Sequence, residues 1–225
     1  MVSGVEGATR RSLDGALKLA IPRGALFEET LDALDGIGVS TKELRSDSRS
    51  LIFDAGELTI VTMRPSDVPT YVEAGAADLG ITGKDVLLEQ GDRDVFELLD
   101  LGFGACRMVL AARRGDDRLA EAERRFGTVR IATKYPGITE RYFEETGRRA
   151  EVIEVKGSVE LAPLVSLADG IVDLVATGRT LEENDLEIRE EIAASTARLV
   201  SNRVSHKLRA EEVDRLAERL HEAKR

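Results

Sequence analysis

Between residues 17 and 223, apolar runs of strand length alternate with stretches of helical period. This alternation constrains the fold more than any other feature, because a strand–helix–strand series packs as βαβ units with mainly parallel sheet. Residues 18–21 read as a strand, Pro22-Arg23-Gly24 as a turn, and 25–37 as a helix. That helix carries Leu26, Phe27, Thr30, Leu31 and Leu34 on one face. Strands at 51–53 and 58–63 flank an Asp-Ala-Gly turn. Ser66 or Asp67 caps a helix running to 74, followed by a strand at 78–82 and a helix at 84–89. The second half repeats the pattern. Strands fall at 107–112, 129–133, 151–155, 171–176 and 198–201. Helices fall at 118–126, 138–145, 159–167 and 207–223, the last with Leu208, Val213, Leu216 and Leu220 facing inward. The stretch 98–107, with Gly102 and Gly104, is the candidate hinge.

Composition narrows the function. The net charge of −10 argues against nucleic acid bound through a broad basic face. A small anion is still admissible, since a pocket can be locally positive on an acidic protein. A single cysteine, Cys106, rules out an intramolecular disulfide and fits a reducing cytoplasm. No apolar run approaches the ~20 residues needed to span a bilayer. Residues 1–16 hold two arginines and no apolar h-region. They read as a flexible tail and not a secretory signal, which leaves the cytoplasm as the expected location.

The most informative stretch is Ile171-Val172-Asp173-Leu174-Val175-Ala176-Thr177-Gly178-Arg179-Thr180. An apolar strand runs into a Thr-Gly-x-Thr turn. Such a turn aims backbone N–H groups and two hydroxyls at one point, and Gly178 allows close approach, which suits a phosphate monoester. The Asp173 carboxylate can accept hydrogen bonds from sugar hydroxyls beside that phosphate. The alternative is an ordinary βα turn with an Asp at a buried edge. Glu160, thirteen residues before Asp173, can face the same pocket, or can simply be a first-turn Glu favoured by the helix dipole. Asp169 reads as a solvated turn residue. Arg23 with Gly24, Arg49 and Arg64 lie at or near strand ends, where open α/β sheets bind ligands. Arginine forks suit pyrophosphate or triphosphate oxygens, although each arginine taken singly reads as a surface residue. Tyr71 is expected to pack, and Tyr135 to pack or to meet a base. Cys106 reads as a small core residue, and His206 and His221 as surface groups. There is no zinc-ligand spacing and no Ser-His-Asp set.

Several blocks together resemble a known family. Ala20-Ile21-Pro22-Arg23-Gly24 is similar to its first strand and Pro-Lys-Gly turn, and residues 64–86, RPSDVPTYVEAGAADLGITGKDV, to its longest signature. LGFGACR at 101–107, RIATKYP at 130–136 and the stretch 157–184 complete the match. The family is ATP phosphoribosyltransferase. The resemblance implies an α/β fold of two periplasmic-binding-protein-like (type II) domains with the active site in the interdomain cleft. Domain I would comprise 17–105 plus about 196–225, and domain II, carrying the phosphoribosyl-phosphate loop, 106–195. The chain ends soon after one terminal helix, which leaves no room for the long form's regulatory domain. The resemblance therefore implies the short-form catalytic subunit. One departure stands out: where the family has Lys-Gly-Arg, this chain has Arg23-Gly24-Ala25.

By resemblance, the enzyme transfers the phosphoribosyl group of phosphoribosyl pyrophosphate to N1 of ATP and releases pyrophosphate, with Mg²⁺ as cofactor. Glu160 and Asp173 are its expected catalytic residues and hold the ribose. Asp173, Ala176, Thr177, Gly178, Arg179 and Thr180 bind phosphoribosyl pyrophosphate. Arg23, Gly24, Arg49 and Arg64 bind ATP or pyrophosphate. No metal ligand and no general base can be named. The expected partners are a second copy and a regulatory subunit resembling a histidyl-tRNA synthetase. The rival readings are a solute-binding protein of the same fold, the effector domain of a transcription regulator, and a different phosphoribosyltransferase. The last usually has two adjacent acids before the loop, where this chain has Val172 and Asp173.

Overall fold

The computed structural model describes residues 15–46, 49–116 and 118–224. Of the expected tail, residues 1–14 lie outside this range. The strands, in chain order, are β1 (Leu17–Pro22), β2 (Ile52–Asp54), β3 (Leu58–Met63), β4 (Leu79–Gly83), β5 (Val95–Asp100), β6 (Cys106–Arg113), β7 (Val129–Thr133), β8 (Ala150–Glu154), β9 (Gly170–Val175), β10 (Leu186–Ser195) and β11 (Ala197–Asn202). The helices are α1 (Phe27–Gly36), α2 (Val68–Glu73), α3 (Lys84–Gln90), α4 (Arg118–Phe126), α5 (Pro136–Glu145), α6 (Leu161–Leu164), α7 (Arg179–Glu183), α8 (Arg203–Leu208) and α9 (Ala210–Ala223).

The chain forms two compact units. One holds the described residues up to Leu87, then Asp92–Gly104 and the residues from Thr196 onward; the other holds Leu88–Gly91 and Ala105–Ser195. The first unit is built on a sheet of order β2-β3-β1-β4-β11-β5. Within it β1 pairs in parallel with β3 and β4, while β2–β3, β4–β11 and β11–β5 are antiparallel. Its main core joins Leu19, Ile21, Ile60 and Ile81 from the strands to Leu31 and Leu34 of α1 and to Val213, Leu216 and Leu220 of α9.

The second unit has the order β10-β6-β9-β7-β8, with β7 parallel to β8 and β9 and with β6 antiparallel to β9 and β10. Neighbouring residues of β6 face opposite sides: Val109 and Ala111 enter one cluster, Met108 and Leu110 the other. A strand buried on both faces reads as a continuous apolar run, as β6 and β9 do. By the same period of two, Asp173 shares a face with Ile171 and Val175, the face covered by Ala162 of α6 and Leu181 of α7.

The expectation of mainly parallel sheet is corrected: both sheets are mixed. The antiparallel members include β5 and β10, which the sequence pattern does not announce. Both are edge strands. The helix expected at 159–167 shrinks to α6, because Ser166 takes a left-handed backbone (φ 60°) that stops it. Leu161, Val165 and Leu167 are left exposed. The last helix splits in two at Arg209, and Leu208, expected inward, is 77% exposed. Asp67 occupies the N-cap position of α2 but does not cap it through its side chain.

Asp169 is not a solvated turn residue. Its side chain is only 9% exposed and accepts from Arg130 N (2.9 Å) and Arg130 NH2 (2.7 Å), tying the start of β9 to β7. Replacing it with alanine leaves the part-buried Arg130 N–H without its acceptor and removes the ion pair. The expected cost is about 2 kcal/mol, read as a lowered melting temperature. An unchanged melt would show that the clamp contributes nothing.

Candidate functional site

The chain leaves the buried end of β9 at Val175 and turns through Ala176, Thr177 and Gly178 into α7. The turn requires a left-handed residue, and Gly178 sits at φ 84° without the Cβ clash another residue would meet. Leu181, buried in the core, anchors α7. The loop and the end of β9 wall a cavity of about 260 Å³, lined by Glu160, Asp173 and residues 174–181. The structure thus brings both expected acids and the whole Ala176–Thr180 loop to one concave place within the second unit.

Asp173 is half-buried, and Leu174 N donates to its Oδ1 at 2.9 Å. Burial pushes its carboxyl above the usual range. The Lys134 ammonium and the Leu174 N–H pull the other way, and the Glu160 carboxylate adds to the upward push. Arg179 turns its guanidinium along α7 to Glu183 (2.7 Å), with both groups well exposed, so this residue meets the pocket chiefly through its backbone. Its N–H lies 3.5 Å from Thr177 Oγ1. Glu160 occupies the N-cap position of α6 and makes no capping bond there.

In the first unit, topology gathers the arginines. β1 and β3 run in parallel, so Arg23 and Arg64 follow their C-terminal ends at the same sheet edge. β2 runs antiparallel to β3, and Thr62 N donates to Leu51 O, which brings Arg49 to that edge too. Arg23 is partly engaged within the protein: Nε donates to Thr62 Oγ1 (3.0 Å), NH2 to Ser50 O (3.3 Å), and the guanidinium lies 5.4 Å from the Phe27 ring centre. Arg49 and Arg64 are exposed. Gly24 adopts φ 97°, a conformation suited to glycine in this turn.

Tyr71, expected to pack, is 46% exposed, whereas Tyr135 packs against the cluster of Met108 and Leu110. Lys134 was not singled out from the sequence. Its signal was its place at the end of β7, the parallel neighbour of β9. Glu89 was also missed: its carboxylate accepts from Gly137 N and Ile138 N, both at 2.9 Å, and so satisfies the first turn of α5. No spacing in the sequence links those positions.

A sequence profile described as HisG: ATP phosphoribosyltransferase matches residues 64–222. The chain belongs to the ATP phosphoribosyltransferase family. An ATP phosphoribosyltransferase of Rubrobacter xylanophilus is 56% identical over 200 residues, covering 88% of this chain and 91% of that protein. One from Moorella thermoacetica is 47% identical over 214 residues, covering 92% of each. Among solved structures, an ATP phosphoribosyl transferase (HisG:HisZ) complex from Thermotoga maritima matches with a TM-score of 0.77 at 40% identity. That match covers 92% of this chain and 98% of the other. The periplasmic aliphatic sulphonate binding protein SsuA of Escherichia coli shares the fold, with a TM-score of 0.61 at 11% identity over 93% of this chain and 72% of its own. Membership in the family and the likeness to SsuA together assign the type II periplasmic-binding-protein-like fold.

Proposed function

We infer that this chain joins ATP to phosphoribosyl pyrophosphate in the opening step of histidine biosynthesis. The observation that carries the reading at the level of residues is the pocket in which Asp173, Glu160 and the Thr177–Thr180 turn converge. Adenine N1 attacks C1 of the ribose. The bond from C1 to the pyrophosphate oxygen breaks, and its electron pair leaves with pyrophosphate. The loop of Ala176, Thr177, Gly178, Arg179 and Thr180 holds the 5′-phosphate through backbone N–H groups and hydroxyls. Asp173 and Glu160 accept hydrogen bonds from the ribose hydroxyls. Their negative charge also favours the cationic character that C1 gains in an oxocarbenium-like transition state. Holding both substrates aligned supplies the remainder, without a covalent intermediate.

Arg64, Arg49 and Arg23, with the Gly24 turn, are proposed for triphosphate or pyrophosphate oxygens. Mg²⁺ is proposed to neutralise the leaving pyrophosphate. Among the described residues no group of three His, Cys, Asp or Glu could hold a metal, and the substrate's own oxygens fit the ion better than a protein cage would. A second copy and a regulatory subunit resembling a histidyl-tRNA synthetase are the proposed partners, supported by the likeness to the HisG:HisZ complex. The proposed compartment is the cytoplasm. Among the described residues no helix is long and apolar enough to cross a membrane.

The test is pyrophosphate release, with and without the regulatory subunit. Release is expected only when ATP, phosphoribosyl pyrophosphate and Mg²⁺ are all present, and excess chelator should abolish it. Release with ATP omitted, or none with all components and the partner present, would overturn the reading.

A further inference from the structure

β7 and β9 pair in parallel, with Thr133 opposite Val172. The next residue on each strand's path is Lys134, just past the end of β7, and Asp173, within β9, so the register places a cation and an anion at one level of neighbouring strands. A single hydroxyl pins that level. Thr133 Oγ1 donates to Val172 O at 2.7 Å and accepts from Tyr135 N at 2.9 Å. The backbone on both sides of Lys134 is thereby fixed, while its side chain remains exposed.

The elements packed on Asp173 present one like charge, one apolar side chain and two cations. From α6 comes Glu160, a like charge. From β6 comes Val109, which is apolar and lies directly opposite. From α7 comes Arg179, already engaged by Glu183. From the turn after β7 comes Lys134, and its field opposes both the burial of the Asp173 carboxyl and the repulsion from Glu160.

We propose that Lys134 is a positioning residue for the transfer reaction: held at the level of Asp173 by the pairing of β7 with β9, its ammonium favours the charged carboxylate that accepts the ribose hydroxyls. The inference rests on the transferase reading and deepens it. Lys134 needs no contact with substrate in this role. It acts through Asp173, and a cation of another shape serves as well.

The test uses the intact protein and two readouts. The first is the titration of the Asp173 carboxyl, followed by carbon NMR in the free protein and assigned by its absence in Asp173→Asn. In Lys134→Met the midpoint should rise by about one pH unit, and in Lys134→Arg it should return toward the wild-type value. The second is the pH dependence of KM for phosphoribosyl pyrophosphate, whose acidic limb should shift by the same amount in the same variants. An unmoved midpoint overturns the proposal. A midpoint that moves while KM rises equally at every pH also overturns it, since Lys134 would then be a direct substrate ligand. A wild-type protein without transferase activity defeats the functional reading instead, and the NMR result still decides the electrostatic pairing.

Discussion

Asp173→Asn should lower turnover by about 10²-fold or more while raising the melting temperature at neutral pH. The two effects share one cause. The wild-type carboxyl is half-buried on the face of β9 covered by α6 and α7, with Glu160 nearby, and burial holds its titration above the ordinary value of 3.8. A carboxyl raised in the folded state stabilises the fold fully only below its unfolded value, and that contribution is lost as pH rises through the folded one. At neutral pH the wild type therefore carries an ionised, partly desolvated group that costs stability. Asparagine removes the charge yet keeps an oxygen to accept the Leu174 N–H. The stability gap between variant and wild type should vanish in acid, open as pH rises above 3.8, and then level off. Catalysis moves the other way, because an amide accepts ribose hydroxyls more weakly and does not favour positive charge at C1. Melting curves across pH and steady-state turnover measure the two halves. A variant of unchanged melting temperature that turns over normally would remove Asp173 from its assigned role.

This opposition explains why the pocket was legible in the sequence. An acid inside an apolar strand breaks the local rule for a buried β-strand, and a Thr-Gly-x-Thr turn immediately follows it. Sites that break local rules are where function concentrates. The two edge strands were hidden for the converse reason. β10 carries Glu187, Arg189, Glu190 and Glu191, and its register shifts between Ile188 and Glu190 and again between Glu191 and Ala193. Bulges destroy the alternation that marks a strand, and charge keeps an edge from pairing with other chains, so the devices that make it a safe edge also erase its signal. β5, the other strand missed, likewise has a shifted register against β11. The helix expected at 159–167 was overread: Leu161 and Val165 lie four residues apart, as on one helix face, but the left-handed Ser166 stops the helix, and Leu161, Val165 and Leu167 are exposed. The contacts of Lys134 and Glu89 depend on pairing between distant segments, which one sequence alone does not contain.

Gly178→Ala should raise KM for phosphoribosyl pyrophosphate by about 10²-fold, because small misplacement of positioning groups carries penalties of that size. An added Cβ at this position meets only Val175 Cγ1, at 3.9 Å, so the variant should fold. The difficulty is conformational. At φ 84° alanine is strained by roughly 1 kcal/mol or more, and the backbone relaxes by shifting the turn that lines the pocket. A matched control separates strain from ligand binding. Gly147 follows α5 at φ 68°, has nothing within 4 Å of an added Cβ, and lies outside the residues that line the pocket. Gly147→Ala should therefore lose similar stability and leave KM unchanged. If both variants raise KM equally, the Gly178 effect is a general loosening of the second unit. If only Gly178→Ala does, the turn after β9 binds the phosphate through its backbone.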